Sequence, residues 1–90
     1  MEKIIKISEI LKAISNPIRL KIVIGLMENE CNVTKMQNEL NLPQPLVSHH
    51  LKILKNVGII RERKDGTSRC YKVTNYKVEE LINYLLKNFN

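Results

Sequence analysis

The sequence has no tryptophan and only four aromatic residues, so we expect an aliphatic core of isoleucine, leucine and valine. It also lacks repeats and low-complexity runs, and its three glycines and three prolines are too few for a fibrous chain. No apolar run approaches the roughly 18 residues of a membrane span, and charges interrupt the apolar N-terminal stretch, unlike in a signal peptide. We therefore expect one cytoplasmic domain over residues 1–90, with no membrane partner.

Only two cysteines are present, Cys31 and Cys70, which is too few for the disulfide framework of a small secreted domain. In a cytoplasmic protein both are expected to be reduced. A bond between them would require their Cα atoms to lie within about 7 Å, and the sequence alone leaves that distance open.

Sequence features of an enzyme are also missing. No nucleophile with a neighbouring base, no glycine-rich phosphate loop and no pair of carboxylates stands out. The Asp65-Gly66 pair is accounted for as a hairpin turn. We therefore predict a protein that is not an enzyme and has no cofactor.

The positive charge is concentrated in one third of the chain. Residues 44–72 contain seven lysines and arginines against two acidic residues, a net charge of +5, whereas the remaining residues contribute +1 of the total of +6. A basic stripe confined to one region is typical of a surface that binds a polyanion, although a solvated face would show the same pattern.

Hydrophobic periodicity predicts a mostly α-helical fold with one small β-hairpin, in the order α-α-α-α-β-β-α. Asn16 and Pro17 are typical of a helix start, and Gly58 of a helix end. The predicted helices cover residues 3–14, 17–27, 34–40, 45–57 and 78–89, and the predicted strands cover 59–64 and 68–73.

Two short helices joined by a tight turn and followed by a basic hairpin predict a winged helix-turn-helix. In that fold the second helix of the pair, here 45–57, reads base edges in the major groove, and the hairpin, or wing, over residues 60–72 lies beside it. The residues predicted to contact DNA are Gln44, Pro45, Leu46, Ser48, His49 and Lys52 on the helix, and Arg63, Lys64, Thr67 and Arg69 on the wing.

These side chains suit different parts of DNA. Gln44 can bond an adenine edge with both amide atoms, Ser48 and His49 can reach base edges or phosphates, and Lys52 suits a phosphate or guanine. Leu46 can touch a thymine methyl group. The wing side chains suit phosphates or an A·T-rich minor groove, although solvated strand ends are the alternative.

The two adjacent histidines are expected to differ. His50 lies beside the core stripe formed by Leu51 and Leu54, so we expect it to pack and hydrogen-bond rather than contact DNA. On a helix, His49 points in another direction, so the pair is not expected to share a metal ion.

Three segments resemble the ArsR/SmtB family of bacterial and archaeal repressors: residues 15–22 (SNPIRLKI), 44–54 (QPLVSHHLKIL) and 58–71 (GIIRERKDGTSRCY). The resemblance covers nearly the whole chain. It implies a homodimer assembled through the helices at 3–14 and 78–89, both of which have surplus apolar surface. It also implies a repressor that binds an inverted repeat in double-stranded DNA and is released by an inducer.

The sequence departs from the metal-sensing members of that family. Their two cysteine ligands in the third helix correspond here to Asn32 and Thr34, and the last helix lacks the usual histidine and aspartate ligands. Because a structural transition-metal site needs about four nitrogen or sulfur ligands, no metal site is predicted.

Other members sense oxidants or sulfide with two cysteines, and Cys31 resembles the first of that pair. The second usually lies in the last helix, whereas Cys70 lies on the wing strand. Redox sensing by Cys31 and Cys70, inert thiols and a small-molecule or protein signal therefore all stay open. A winged-helix module that binds another protein, without specific DNA binding, is the alternative function.

Overall fold

The computed structural model of the protein describes residues 1–90 and contains five helices and one two-stranded antiparallel sheet. This order is that of the predicted winged helix-turn-helix, and each predicted element matches an observed one to within two residues at either end. The elements are α1 (Glu2–Ile14), α2 (Pro17–Glu28), α3 (Val33–Leu40), α4 (Gln44–Asn56), β1 (Ile60–Asp65), β2 (Ser68–Val73) and α5 (Tyr76–Asn88).

Asparagine caps set the starts of two helices. The Asn16 side chain accepts hydrogen bonds from the amides of Ile18 and Arg19 at 2.9 and 3.1 Å, which confirms the predicted start of α2. The Asn75 side chain accepts one from the amide of Val78, so α5 begins at Tyr76 rather than at Val78. The apolar pattern marked the first buried residue of α5, whereas the cap lies three positions earlier.

The end of α4 and the hairpin both depend on a glycine with positive φ. Gly58 follows the helix with φ of 80°, as predicted. Asp65 pairs with Ser68, so the two-residue loop is Gly66-Thr67, one position beyond the predicted turn. Gly66, with φ of 65°, takes the first loop position, where two-residue hairpins of type II′ place glycine.

The core forms around α2, which contacts α1, α3, α4 and β2. It is aliphatic, as expected, and Val23, Leu54 and Ile59 are completely buried. A Cβ atom at Gly25 would overlap the Met36 side chain, so this glycine allows α2 and α3 to pack closely. This core holds α4 in place beneath its outward face.

Much of the apolar surface of α1 and α5 stays outside this core. Only Ala13 and Ile14 of α1 and Val78 and Ile82 of α5 are buried. The large apolar side chains left exposed on the two helices include Ile4, Ile5, Ile7, Leu11, Leu81, Leu85, Leu86 and Phe89. We call these eight residues the apolar face. No helix in the structure combines the length and hydrophobicity that crossing a bilayer requires.

The two cysteines are joined by a disulfide bond, so the expectation that both are reduced is wrong for this structure. Their Cα atoms lie 4.4 Å apart, at the short end of the range found for disulfides. The turn between α2 and α3 folds back on β2, where the Cys31 amide donates a hydrogen bond to the Tyr71 carbonyl oxygen at 3.0 Å. Cys31 has φ of 69°, a left-handed conformation that directs the turn towards the strand.

Candidate nucleic-acid interface

One continuous arc of α4 faces solvent. At 100° per residue, its exposed residues fall on one side of the helix and its buried residues on the other. The buried side consists of Val47, His50, Leu51 and Leu54. The exposed side consists of Gln44, Pro45, Ser48, His49, Lys52, Lys55 and Asn56. Five of the six helix residues predicted to contact DNA therefore share one surface.

Leu46 is the exception among the predicted helix contacts. It is half-buried and, by helical periodicity, shares an edge of α4 with Ile53, which packs against the core. The structure thus separates Leu46 from the other predicted residues of the helix, because the apolar side of α4 is wider than the stripe used for the prediction.

His50 anchors α4 to the first two helices, which confirms that it is packed and hydrogen-bonded. It is 5% exposed, and its Nδ1 lies 3.2 Å from a guanidinium nitrogen of Arg19. Because arginine only donates, Nδ1 accepts and a neutral ring holds its proton on Nε2. Burial lowers the pKa of His50, and the positive charge of Arg19 lowers it further. Arg19 also donates to the Ala13 carbonyl oxygen at 2.7 Å, which links the end of α1 to the same site.

A groove of about 380 Å³ separates α4 from the wing. Gln44, Ser48 and Lys52 line it from the helix, and Arg69 lines it from β2. The structure therefore brings together four of the predicted DNA contacts from two separate elements. The groove is open to solvent along the exposed arc of α4.

Glu62 holds the wing against α4. Its carboxylate accepts a hydrogen bond from Lys55 Nζ at 2.9 Å, one from Arg69, and one from the Tyr71 hydroxyl at 3.3 Å. Its side chain is only 13% exposed. Hydrogen bonds from Arg69 and then Lys55 lower the pKa of Glu62 to about 2, against the opposing effect of burial. The two strands and the helix thus share one carboxylate.

Sequence reasoning missed this role of Glu62, which entered the prediction only as a negative charge among positive ones. The signal is in the strand register. Glu62 pairs with Tyr71, and the next pair on the same face is Lys64 with Arg69. A lone glutamate on the face that carries an arginine and a tyrosine of the opposite strand could have predicted the cluster.

The predicted wing contacts do not form one surface. Arg63 pairs with Cys70 and Lys64 pairs with Arg69, so Arg63 and Arg69 lie on opposite faces of the hairpin. Arg69 is bound to Glu62, and Arg63 lies 3.9 Å from Glu30. Lys64 and Thr67 are exposed near the tip, and neither Lys64 nor Lys52 belongs to an ion pair. Among the predicted contacts, the cations without an ion-pair partner are therefore Lys52 on the helix and Lys64 at the wing tip.

No three histidine, cysteine, aspartate or glutamate side chains come together in a group that could hold a metal ion. His49 and His50 have ring centroids 5.5 Å apart and are tilted by 57°.

The low pKa of Glu62 predicts an acid-sensitive contribution to stability. A carboxyl group with a depressed pKa stabilises the fold above the unfolded-state value of 4.5, and this stabilisation is lost as the pH falls towards about 2. Because Lys55 and Arg69 are 46% and 62% exposed, solvent screening reduces the contribution to about 1 kcal/mol. Glu62→Gln should therefore lower the free energy of unfolding in urea at neutral pH by that amount.

The difference between wild type and Glu62→Gln should narrow below pH 4.5 and close near pH 2. Glu79→Gln, on α5, changes the same charge outside the cluster and serves as the control. A difference of the same size at acidic and neutral pH would show that the glutamine disturbs packing rather than removing a charged interaction.

Comparisons with known proteins agree with this geometry. The chain matches the family described as bacterial regulatory protein, arsR family, over residues 16–62, from the cap of α2 to the middle of β1. It is 47% identical over 83 residues to the HTH-type transcriptional regulator MJ1325 of Methanocaldococcus jannaschii, covering 91% of this chain and 93% of the relative. It is 35% identical over 74 residues to the HTH-type transcriptional repressor SmtB of Mycobacterium tuberculosis, covering 82% of this chain but 55% of SmtB, so it spans about half of that protein.

Solved structures share the fold over almost the whole chain. The transcriptional repressor BigR from Xylella fastidiosa superposes with a TM-score of 0.85 at 29% identity, covering 99% of this chain and 91% of BigR. The homodimeric winged helix-turn-helix DNA-binding domain Mb0332 from Mycobacterium bovis superposes with a TM-score of 0.84 at 24% identity, covering 94% of this chain and 79% of that domain. The chain belongs to the arsR family of bacterial regulatory proteins and is a winged helix-turn-helix transcriptional regulator.

Proposed function

We propose that this regulator is a cytoplasmic repressor that binds an inverted repeat in double-stranded DNA as a homodimer, with α4 in the major groove. The observation that carries the proposal is the exposed polar arc of α4, which opens onto the groove shared with the wing. The repressor direction is supported by SmtB and BigR, both named as repressors.

The arc of α4 divides into residues of different chemistry. Gln44 and Ser48 line the groove and have the donors and acceptors needed to read base edges, and His49 lies next to them on the arc. Lys52 belongs to no ion pair and suits a backbone phosphate. At the wing tip, Lys64 and Thr67 are exposed and can contact the DNA backbone that flanks the major groove. Arg63 lies on the face of the hairpin opposite to Arg69.

The helix is held rigidly enough to present these side chains. His50 and Arg19 fix its inner face to α1 and α2, while Glu62 binds Lys55 near its C-terminal end and connects it to the wing. Sites built on a rigid element lose less conformational entropy on binding than sites on loops. Pro45 favours the helical backbone at the start of α4, where the missing amide proton costs little.

The apolar face on α1 and α5 supports the homodimer. An exposed surface rich in isoleucine and leucine on two neighbouring helices is typical of an interface rather than of a monomer surface. The Mycobacterium bovis domain of the same fold is itself homodimeric. Two-fold symmetry would then place the two copies of α4 in half-sites about one helical turn apart, ~34 Å.

Lys52→Ala tests the phosphate contact. We expect it to weaken binding to specific and unrelated DNA by a similar factor. Because the homodimer loses one phosphate contact in each protomer, the slope of log affinity against log salt should fall by about 2. The measurement is a fluorescence anisotropy titration with DNA from upstream of the protein's own gene, over about 50 to 200 mM salt.

Lys87→Ala, on α5, removes a charge of the same sign far from the candidate DNA-binding surface and should leave the salt slope unchanged. If wild-type protein bound no promoter fragment at low salt, the DNA-binding proposal would be wrong, and the alternative of a protein-binding winged-helix module would be favoured.

Gln44→Ala tests base reading. Removing one bidentate contact from each protomer of the homodimer should weaken binding to the preferred sequence by about 30-fold or more and leave binding to unrelated DNA nearly unchanged. Competition titrations with single-base variants of the preferred site measure this, and the loss should be confined to one base position in each half-site. An equal loss on specific and unrelated DNA would assign Gln44 to the phosphate backbone instead.

A further inference from the structure

The Cys31–Cys70 disulfide closes the chain around the whole candidate interface. The two cysteines are 39 residues apart, and the segment between them contains α3, α4, β1 and the wing tip. All ten residues predicted to contact DNA lie within it. A change at this bond therefore acts on the segment that the proposed function assigns to DNA.

Two contacts besides the disulfide hold the turn between α2 and α3 against the wing. The hydrogen bond from the Cys31 amide to the Tyr71 carbonyl oxygen fixes the turn beside Cys70. A second contact joins this turn to the wing, because Glu30 lies 3.9 Å from Arg63, the cross-strand partner of Cys70. The reduced thiols would thus remain adjacent and ready to form the bond again.

The two cysteines differ in their access to solvent. Cys31 lies exposed in the turn between α2 and α3, whereas Cys70 is 2% exposed beneath it. A cysteine at an exposed position can meet an oxidant from solution, and a buried neighbour can then resolve the product. This is the arrangement of a reactive and a resolving thiol.

We propose that Cys31 and Cys70 form a reversible redox site through which hydrogen peroxide strengthens DNA binding, an inference that rests on the proposed function. The Cys31 thiolate attacks one peroxide oxygen, the O–O bond breaks, and the products are a sulfenic acid on Cys31 and one water after protonation. The Cys70 thiolate then attacks the Cys31 sulfur, the S–O bond breaks, and the hydroxide leaves as a second water. Two thiols and one peroxide thus give one disulfide and two waters, and a dithiol reductant reverses the change.

The effect on DNA binding follows from the two faces of the hairpin. Glu62 holds the face that looks towards α4, whereas the disulfide holds the opposite face through Cys70. In the oxidised protein a covalent bond adds to the hydrogen bond and the ion pair that hold this opposite face to the turn between α2 and α3. In the reduced protein only those weaker contacts remain, so the wing is less restricted. Binding by the oxidised form therefore orders less of the chain and is tighter.

The experiment compares the full-length protein after treatment with hydrogen peroxide and after treatment with excess dithiol reductant. Intact mass and thiol alkylation report the bond, and anisotropy titration on the protein's own upstream DNA reports affinity. We expect peroxide to remove two hydrogen atoms per chain and both alkylatable thiols, and to tighten binding about fivefold or more. Cys31→Ser, at the exposed position, should bind like the reduced protein under both treatments, and Cys70→Ala checks this with an apolar substitute in the buried position.

Equal affinity of the two redox forms, tighter binding by the reduced form, or peroxide treatment that leaves both thiols alkylatable would each overturn the redox inference while leaving the DNA-binding proposal intact. Failure of both forms and of Cys31→Ser to bind any DNA would instead overturn the proposed function, and with it the inference.

Discussion

Leu85→Glu should convert the homodimer to a monomer and reduce affinity for an inverted-repeat site by about 100-fold or more. Leu85 is 53% exposed in the single chain and belongs to the apolar face. A carboxylate placed in an apolar interface loses its hydration without gaining a partner, which costs several kcal/mol. A monomer then engages one half-site only, and the second α4 no longer contributes to binding.

Multi-angle light scattering measures the first effect, and anisotropy titration on full and half sites measures the second. Lys87→Glu places a glutamate on the side of α5 opposite the apolar face, by helical periodicity, and should remain dimeric. A Leu85→Glu protein that stays dimeric would move the interface away from α5. A monomer that bound the full site as tightly as wild type would remove the link between dimerisation and DNA binding.

Reduction of the disulfide should lower the free energy of unfolding by about 4 kcal/mol, the second large effect. In the chain-entropy model a bond that closes a loop of this length, 39 residues, restricts the unfolded chain by roughly that amount. For a domain of this size the melting temperature should fall by about 20 °C. The bond stabilises the protein by restricting the unfolded chain, so its removal lowers the free energy of unfolding without any change in the folded contacts.

Differential scanning calorimetry with and without a dithiol reductant measures this effect, at one protein concentration because dimer stability depends on concentration. Cys31→Ser should melt near the reduced wild type and should not respond to reductant. Identical melting curves for oxidised and reduced wild type would show that the bond contributes nothing to stability.

Local signals explain why the order of elements could be predicted from the sequence. Asn16, Pro17 and Gly58 act within a few residues of themselves, so their effects are present in the sequence and in the fold alike. The start of α5 and the hairpin loop were displaced by one or two positions because Asn75 caps the helix and Asp65 stays paired. The exposed arc of α4 was also predictable, since helical periodicity alone separates it from the core.

The parts that could not be predicted depend on contacts between distant residues. The Cys31–Cys70 bond requires a left-handed turn at Cys31 and the return of β2 to the same place. The Glu62 cluster requires the strand register together with the position of the last turn of α4. The surplus apolar surface of the helices at 3–14 and 78–89, by contrast, was predicted, and Ile4, Ile7 and Leu11 are indeed exposed in the single chain.

The central claim is that the exposed arc of α4 is the surface that meets DNA. Nuclear magnetic resonance of the ¹⁵N-labelled protein, titrated with DNA from upstream of its own gene, tests it residue by residue. We expect the largest amide shift changes at Gln44, Ser48 and Lys52, smaller ones at the wing tip, and little change at Leu85 on the apolar face. Changes concentrated on α1 and α5, or no changes at low salt, would contradict the account.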